Sequence, residues 1–224
     1  MNALLVMLLS LQATATEDAF KKLEEAIEKA KTVSLKCTSE AVWKGNPGTK
    51  TTATLIVFAK EGNRFSHTVT MSSDGQTGQF RTVSDGSKIW TADFGIIPKE
   101  PKNSLGKLAI NLTRQGLLLS QLLVQDPGSQ EKDPKELLLV SKVTSAADEG
   151  KAKTLRYEVT YKGALKDISA DHTLWYEPSP LKLVKHTALL KEKGEEKGTV
   201  TETYETFSIN GEIPDETFIL PTSK

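Results

Sequence analysis

The sequence predicts an α+β protein built around one long, curved antiparallel sheet with helices against its concave face. Three patterns support this fold class: an amphipathic helix early in the chain, two runs of about five alternating, strand-like segments, and one apolar helical segment between the runs. Consecutive strands joined by short turns usually pair with each other, so each run is expected to form an antiparallel meander.

The first fifteen residues have the pattern of a secretory signal peptide. Residues 4–11 are nearly all apolar, and Ala13-Thr14-Ala15 has the small-x-small form of a signal peptidase site. The apolar run is far shorter than the roughly 20 residues that span a bilayer. We therefore expect cleavage after Ala15, a single mature domain over residues 16–224, and a periplasmic location.

Residues 16–31 are predicted to form the early helix, with Thr16 or Asp18 as its cap. Its apolar positions repeat at helical spacing among Lys and Glu residues; they are Phe20, Leu23, Ala26, Ile27 and Ala30.

The strand-like segments alternate apolar and polar residues between turn signals. In the first run they are residues 33–43, 51–59, 64–71, 79–83 and 88–92, with residues 72–78 predicted as a polar loop. In the second run they are residues 136–144, 154–161, 172–176, 181–189 and 198–209.

Between the runs, a helical segment capped by Asn103 or Ser104 is predicted to extend to about residue 124, with a possible break at Gly116. Its apolar stripe comprises Leu105, Leu108, Ala109, Leu112, Leu119, Leu122 and Leu123. Residues 117–124 are apolar nearly all round, which is typical of a helix buried on more than one side. Lys107 and Arg114 exclude a membrane span. The apolar surface either fills the core or lines an unfilled cavity.

Composition narrows the function further. The chain has 29 basic and 29 acidic residues, so it has no electrostatic reason to bind nucleic acid. The single cysteine, Cys37, excludes an internal disulfide, and its place in an alternating apolar set predicts a buried structural thiol. We expect a monomer.

No catalytic residue, metal site or cofactor is predicted. His67, His172 and His186 are far apart in sequence, each lies in a strand pattern, and none has metal-ligand spacing. The adjacent Ser84 and Asp85 suggest a reactive pair, but Asp-Gly between two strands is a tight-turn signal, so a turn is the favoured interpretation.

Three short motifs resemble a known family, the periplasmic carriers of outer-membrane lipoproteins (the LolA-like and LolB-like superfamily). Residues 83–90, VSDGSKIW, resemble that family's V-S-D-G-x-x-L-W hairpin. Asn63-Arg64-Phe65 resembles its P-N-x-F element, and residues 213–221, IPDETFILP, resemble its closing segment. The order of leader, helix, meander, helical insertion and meander is also similar.

The resemblance implies an unclosed barrel of about 10–11 strands, covered by helices that form a lid over an acyl-chain cavity. It makes the following residues candidates for lining that cavity: Phe65, Trp90, Leu105, Leu108, Leu112, Leu119 and Leu123. One position departs from the family. The carriers have a lid-latching arginine just before the P-N-x-F turn, where this chain has Glu61 followed by Gly62. Arg64 is close but falls on a different position, so the carrier's latch cannot be transferred.

The leading hypothesis is an exported, non-enzymatic carrier or sensor of a lipid or lipoprotein acyl chain, with envelope membrane proteins as further partners. The alternative is a protein-interaction module with a fully packed core that recognises its partner through edge strands or loops. An envelope-lipid hydrolase is the weakest reading, because no nucleophile–histidine signature is present.

Overall fold

The computed structural model describes residues 16–45, 50–93, 95–97, 101–122 and 134–221. Most of the chain is in long strands. They are β1 (Thr32–Trp43), β2 (Lys50–Lys60), β3 (Arg64–Ser73), β4 (Gln76–Asp85), β5 (Ile89–Thr91), β6 (Gly95–Ile97), β7 (Leu138–Glu149), β8 (Ala152–Tyr161), β9 (Ile168–Pro178), β10 (Leu181–Glu192) and β11 (Glu195–Ile209).

These strands form a single antiparallel sheet of 11 strands in the order β6-β5-β4-β3-β2-β1-β11-β10-β9-β8-β7. Two consecutive meanders therefore meet where the first strand pairs with the last, in the middle of the sheet. β6 and β7 are the two edges and do not pair with each other, so the sheet is not closed. The predicted fold class, an α+β unclosed half-barrel with one antiparallel sheet, is confirmed.

The helices are short apart from the first. They are α1 (residues 16–28), α2 (Ser104–Ile110), a π-helical turn (Asn111–Gln115), α3 (Leu117–Leu122) and α4 (Pro134–Leu137). We call residues 104–122 the central segment. Asn103 caps its start by accepting a hydrogen bond from Gly106 N at 3.2 Å, and Gly116 separates the π-helical turn from α3, both as predicted. No helix in the described ranges is long and apolar enough to cross a membrane.

The core lies between the inward face of the sheet and these helices. Along β1 the buried residues alternate, as in Val33, Leu35 and Cys37, while their neighbours face outward. The buried face of α1, including Phe20 and Ile27, packs into the same cluster. Cys37 is fully buried and unpaired, as predicted.

Three local predictions were wrong. Residues 72–78 are not a loop: β3 and β4 continue to a tight turn at Asp74 and Gly75, whose φ angles of 50° and 77° suit a two-residue hairpin. Residues 134–137 are helical, so β7 begins at Leu138 rather than residue 136. The early helix ends at residue 28 rather than 31, and the short strand β6 was not predicted at all.

Candidate functional site

Most residues proposed to line a cavity meet in the space between the central segment and the sheet. Leu112 and Leu119 have no exposed surface and Leu108 is 8% exposed, whereas Phe65 and Leu105 are half-buried against the same core. Trp90 is half-buried on β5, outside that cluster. Leu123 lies outside the described residues.

The central segment is attached to the sheet at its beginning by the β2–β3 turn. Ser104 N donates to Asn63 Oδ1 at 3.1 Å, and Ser104 Oγ donates to the Asn63 carbonyl at 3.4 Å. Asn63 adopts φ = 60°, a left-handed conformation that asparagine tolerates better than most residues. The β2–β3 turn therefore contacts the central segment through Asn63, two positions after Glu61.

The neighbouring charged residues of this turn are used elsewhere. Glu61 is exposed. Arg64 Nη1 lies 3.0 Å from Asp215 Oδ1, and its guanidinium lies 5.8 Å from the centre of the Phe218 ring. Lys60 Nζ reaches the same Asp215 oxygen at 2.6 Å. Arg64 and Lys60 thus hold the C-terminal segment against the sheet.

Beneath the central segment lies a group of five side chains that we call the buried polar cluster: Tyr157, His172, His186, Glu202 and Tyr204. All five are at most 4% exposed. His172 Nδ1 lies 2.9 Å from His186 Nε2, which in turn lies 3.2 Å from the Tyr157 hydroxyl. Tyr157 donates to the carbonyl of Thr113 in the π-helical turn.

Glu202 connects the cluster to the next part of the central segment. Its Oε1 accepts the Leu118 N–H at 2.7 Å, and its Oε2 accepts the Tyr204 hydroxyl at 2.9 Å. Oε2 also lies 3.9 Å from His186 Nδ1. The polar cluster therefore holds both the π-helical turn and α3 against the sheet.

Gly116 passes directly over this cluster. A Cβ atom at this position would lie 3.2 Å from Glu202 Oε1 and 3.4 Å from His186 Nδ1, closer than most side chains tolerate. Its φ of 89° is also strained for any residue with a Cβ. Glycine is required here because the backbone approaches buried polar atoms.

Burial controls the charge of the cluster. It holds the pKa of His172 well below its ordinary value, with a contribution from nearby His186, and lowers the pKa of His186 to about 3. Burial also raises the pKa of Glu202, against the effect of the backbone N–H donors of Leu118 and Leu117. Both histidines are therefore uncharged at neutral pH.

All three histidines lie in strands, as predicted, but the structure brings His172 and His186 together, which their separation in the sequence did not indicate. His172 pairs with Ala188 and His186 pairs with Leu174 in an uninterrupted stretch of the β9–β10 ladder, so the two imidazoles are diagonal neighbours on the concave face. Strand alternation indicates which face each histidine occupies, but it does not specify the cross-strand register that places them side by side.

The Ser84-Asp85-Gly86 turn has the predicted structural role. Asp85 Oδ1 accepts hydrogen bonds from the backbone N–H groups of Ser87 and Lys88, both at 2.8 Å, and Ser84 Oγ accepts from Gly86 N at 3.0 Å. These bonds, with one from the Ser87 hydroxyl to Asp85 Oδ1 at 2.9 Å, close the turn.

A polar groove of about 480 Å³ lies on the opposite, convex face of the sheet. Its side chains are mostly hydroxyls, together with a carboxylate paired to Lys50; they are Thr38, Glu40, Thr52, Thr54, Thr70, Ser72, Thr201 and Thr203. Threonine is common on exposed strand faces. The groove differs from the predicted apolar cavity both in its polar lining and in its position on the other face of the sheet. Within the described ranges, no group of three or more acidic, histidine or cysteine side chains is arranged to hold a metal ion.

No protein-family model and no curated protein matches the sequence. Solved structures with a similar backbone include a LolA superfamily protein from Nitrosomonas europaea, at 9% identity and a TM-score of 0.40, covering 91% of this chain and 97% of that one. LprF from Mycobacterium bovis matches at 11% identity and a TM-score of 0.41, covering 93% and 97%. A domain from Vibrio parahaemolyticus named for outer membrane lipoprotein sorting matches at 7% identity and a TM-score of 0.34, covering 91% and 97%.

The neighbours thus include a member of the superfamily that the sequence motifs resemble. No ligand or activity follows for this chain from likenesses of this degree.

Proposed function

We propose that this protein is an exported, non-enzymatic carrier or sensor that holds the acyl chain of a lipid or lipoprotein between the concave face of the sheet and the central segment. The observation that carries this proposal is the apolar inner face of the central segment. Leu112, Leu118 and Leu119 have no exposed surface, and all three join one continuous core with the inward residues of the sheet. Ligand sites for apolar molecules have this composition, with few polar groups.

The short helical pieces of the central segment suit a lid that moves away from the sheet. It consists of a seven-residue helix, a five-residue π-helical turn, a glycine and a six-residue helix. Such π-helical turns occur frequently at functional sites. Its described polar attachments include contacts to Asn63, Glu24, Leu138, Tyr157 and Glu202. A small number of discrete contacts allows the segment to separate from the sheet as a unit.

Burying an acyl chain contributes about 0.8 kcal/mol per methylene, so about ten buried methylenes contribute roughly 8 kcal/mol. This apolar gain offsets the loss of burial of about four leucine side chains, at about 2 kcal/mol each. The exchange of apolar surface itself needs no charged partner.

The non-enzymatic assignment is supported by the surroundings of the histidines. Among the described residues, His172 and His186 hydrogen-bond to each other and to Tyr157. The thiol of Cys37 instead contacts the Thr38 carbonyl and Ser39. Within the described parts of the chain, neither imidazole hydrogen-bonds to a serine, threonine or cysteine side chain.

The complete burial of Leu112 and Leu119 also favours a second candidate, an envelope protein-interaction module whose core is permanently packed. Leu112→Trp separates the two. In a carrier, the tryptophan occupies ligand space: the melting temperature stays near that of the wild type while binding of a fluorescent fatty-acid probe weakens. In a packed module, the tryptophan overfills the core and lowers the free energy of unfolding by about 1–3 kcal/mol. Neither the wild type nor the variant then binds the probe.

Leu139→Trp is the matched control for this experiment. Leu139 is 41% exposed on the edge strand β7, so the same substitution adds the same ring without entering the core. Native mass spectrometry of protein purified from cells gives an independent readout, because a carrier retains lipid. N-terminal sequencing of envelope protein tests export: a mature chain beginning at Thr16 supports it, and retention of Met1 on cytosolic protein contradicts it.

A further inference from the structure

One assignment of the protons satisfies every hydrogen-bond contact of Tyr157 and His186 Nε2 in the buried polar cluster. The hydroxyl of Tyr157 has one hydrogen, which it donates to the Thr113 carbonyl. The oxygen of Tyr157 can then only accept from His186 Nε2, at 3.2 Å, so this nitrogen carries a hydrogen. The same N–H faces His172 Nδ1 at 2.9 Å, which must therefore be an acceptor. Neutral His172 consequently carries its own hydrogen on Nε2.

That Nε2–H group of His172 is fully buried and has no hydrogen-bond partner among the described residues. An unpaired buried donor typically costs 1–3 kcal/mol, and such groups are rare in folded proteins. The imidazole is held in place, because it stacks on Tyr157 with ring centres 5.2 Å apart and planes 6° apart. A rigid donor without a partner thus lies in the core beneath the central segment, where the proposed ligand would bind.

The charges around this donor restrict what it can bind. In the part of the chain that the structure describes, the nearby cations are committed to acidic partners: Arg114 to Glu24, and Lys135 to Glu28. An anionic headgroup at His172 would therefore be buried without a compensating positive charge, which is costly, whereas an uncharged carbonyl oxygen would accept the N–H bond without burying a charge.

Resting on the proposed function, we propose that His172 Nε2–H is the headgroup donor of the site, and that it selects uncharged long-chain acyl esters by bonding the ester carbonyl oxygen. The apolar surface binds the chain, and His172 fixes the position of its polar end. The site then discriminates against a hydrocarbon, which leaves the donor unpaired, and against a fatty acid anion, which brings an unpaired charge.

Displacement of Nile red by methyl palmitate, palmitate and hexadecane at pH 7.5 tests this selection. A neutral hydrogen bond contributes about 0.5–1.5 kcal/mol, so we expect methyl palmitate to bind about 2–10-fold more tightly than hexadecane, and more tightly than palmitate. His172→Phe keeps the ring and removes the donor, so it should abolish the ester preference while leaving hexadecane affinity unchanged. His172→Gln, which retains an N–H donor, should restore part of the preference for the ester.

His67→Phe is the comparison variant. His67 is another buried histidine on the inward face of the sheet, on β3, and its Nε2 is also unpartnered, but no contact forces a hydrogen onto that nitrogen. We expect its ester preference to equal that of the wild type. Loss of the preference in His67→Phe instead of His172→Phe overturns the assignment, as does tighter binding of palmitate than of its methyl ester.

The failures of the two proposals are distinguishable. If methyl palmitate and hexadecane bind equally well and His172→Phe changes neither, the headgroup inference fails and the carrier function stands. If no long-chain compound displaces the dye or binds by mass spectrometry, the carrier function itself fails. Dipalmitoylglycerol and a diacylated lipopeptide, compared in the same assay, identify which natural source of the ester is preferred. If His172→Phe weakens the binding of neither compound, the headgroup inference is contradicted.

Discussion

Arg114 and Glu24 form a bidentate ion pair between the π-helical turn and α1, with Nε–Oε2 and Nη2–Oε1 distances of 2.6 Å and 2.8 Å. The two side chains are only 16% and 8% exposed. Arg114 Nη1 also donates to the Leu138 carbonyl at 2.9 Å, where β7 begins. One guanidinium group therefore joins the central segment, the first helix and the edge of the second meander.

Arg114→Met is expected to lower the free energy of unfolding by about 3–5 kcal/mol, because it leaves the Glu24 carboxylate buried without its partner. The double variant Glu24→Leu/Arg114→Met should lose less than the sum of the two single variants, as measured by urea unfolding. Lys29→Met breaks the exposed Lys29–Glu25 pair and should change nothing measurable. If Arg114→Met and Lys29→Met lowered the free energy of unfolding equally, the stabilising role of the buried Arg114–Glu24 ion pair would be contradicted.

Gly116→Ala is expected to destabilise the protein by more than about 1 kcal/mol, because φ is positive and the new Cβ would crowd Glu202. Gly150→Ala is the matched control: its φ of 62° is also positive, but no atom lies within 4 Å of the added carbon. The difference in melting temperature between the two variants measures the crowding together with the additional strain at Gly116, whose φ of 89° and ψ of 149° lie in a region that is essentially restricted to glycine. No difference would mean that Gly116 is required only for its positive φ.

Stability should fall as the pH drops below about 6.5. The pKa values of His172, His186 and His67 are all lowered by burial, the last two to about 3 and about 4. Between these values and the ordinary histidine pKa, the unfolded chain binds protons that the folded chain does not, so each histidine contributes a loss of about 1.4 kcal/mol per pH unit. Above pH 6.5 both states are neutral and this contribution is absent.

Urea unfolding at pH 7.5, 6.0 and 5.0 measures how the free energy of unfolding changes with pH. His186→Phe should reduce this slope by about 1.4 kcal/mol per pH unit, which corresponds to one proton. Glu202 has the opposite effect on the pH dependence of stability. Because its pKa is raised in the folded state, the folded state retains the proton of Glu202 above pH 4.5, and the stability due to this group declines as pH rises. Glu202→Gln should therefore steepen the fall towards acid. A wild-type slope that the histidine substitution leaves unaltered would contradict neutral buried imidazoles.

Cys37 should resist alkylation in the folded protein. It has no exposed surface, and burial raises the pKa of its thiol to about 12. At pH 8 the thiolate population is then about 1,000-fold lower than for an ordinary cysteine. Iodoacetamide labelling followed by mass spectrometry should proceed rapidly in urea and very slowly without it; rapid native labelling would show that the core around β1 opens.

The sequence predicted those parts of the fold in which one face of an element is buried. Strands such as β1 and β2 alternate cleanly because their inward residues enter the core, and α1 shows its buried face for the same reason. The distal part of the β3–β4 hairpin was missed because residues 76–81 are exposed on both faces, which removes the alternation. The Asp74-Gly75 turn signal was present there and was outweighed by the polar composition.

The candidate site was only half predictable. The leucines of the central segment are visible as a helical stripe, so their burial beside the sheet follows from sequence. The polar cluster does not, because it unites residues from β8 to β11 whose facing depends on register. His172 and His186 meet because His172 pairs with Ala188 and His186 pairs with Leu174, and no local preference specifies that register.

The pairing of β1 with β11 has a consequence for how the chain acquires its structure. Each meander forms through contacts between neighbours in sequence, which are fast to make. The junction between them cannot form until the last strand has been made. A nascent chain therefore presents the free edge of β1 until synthesis is nearly complete. An exported protein held unfolded until it leaves the cytoplasm would complete this final pairing on the far side of the membrane. For the same reason, two fragments separated between β6 and β7 retain all their strand pairs except this one, and we expect them to reassociate along it.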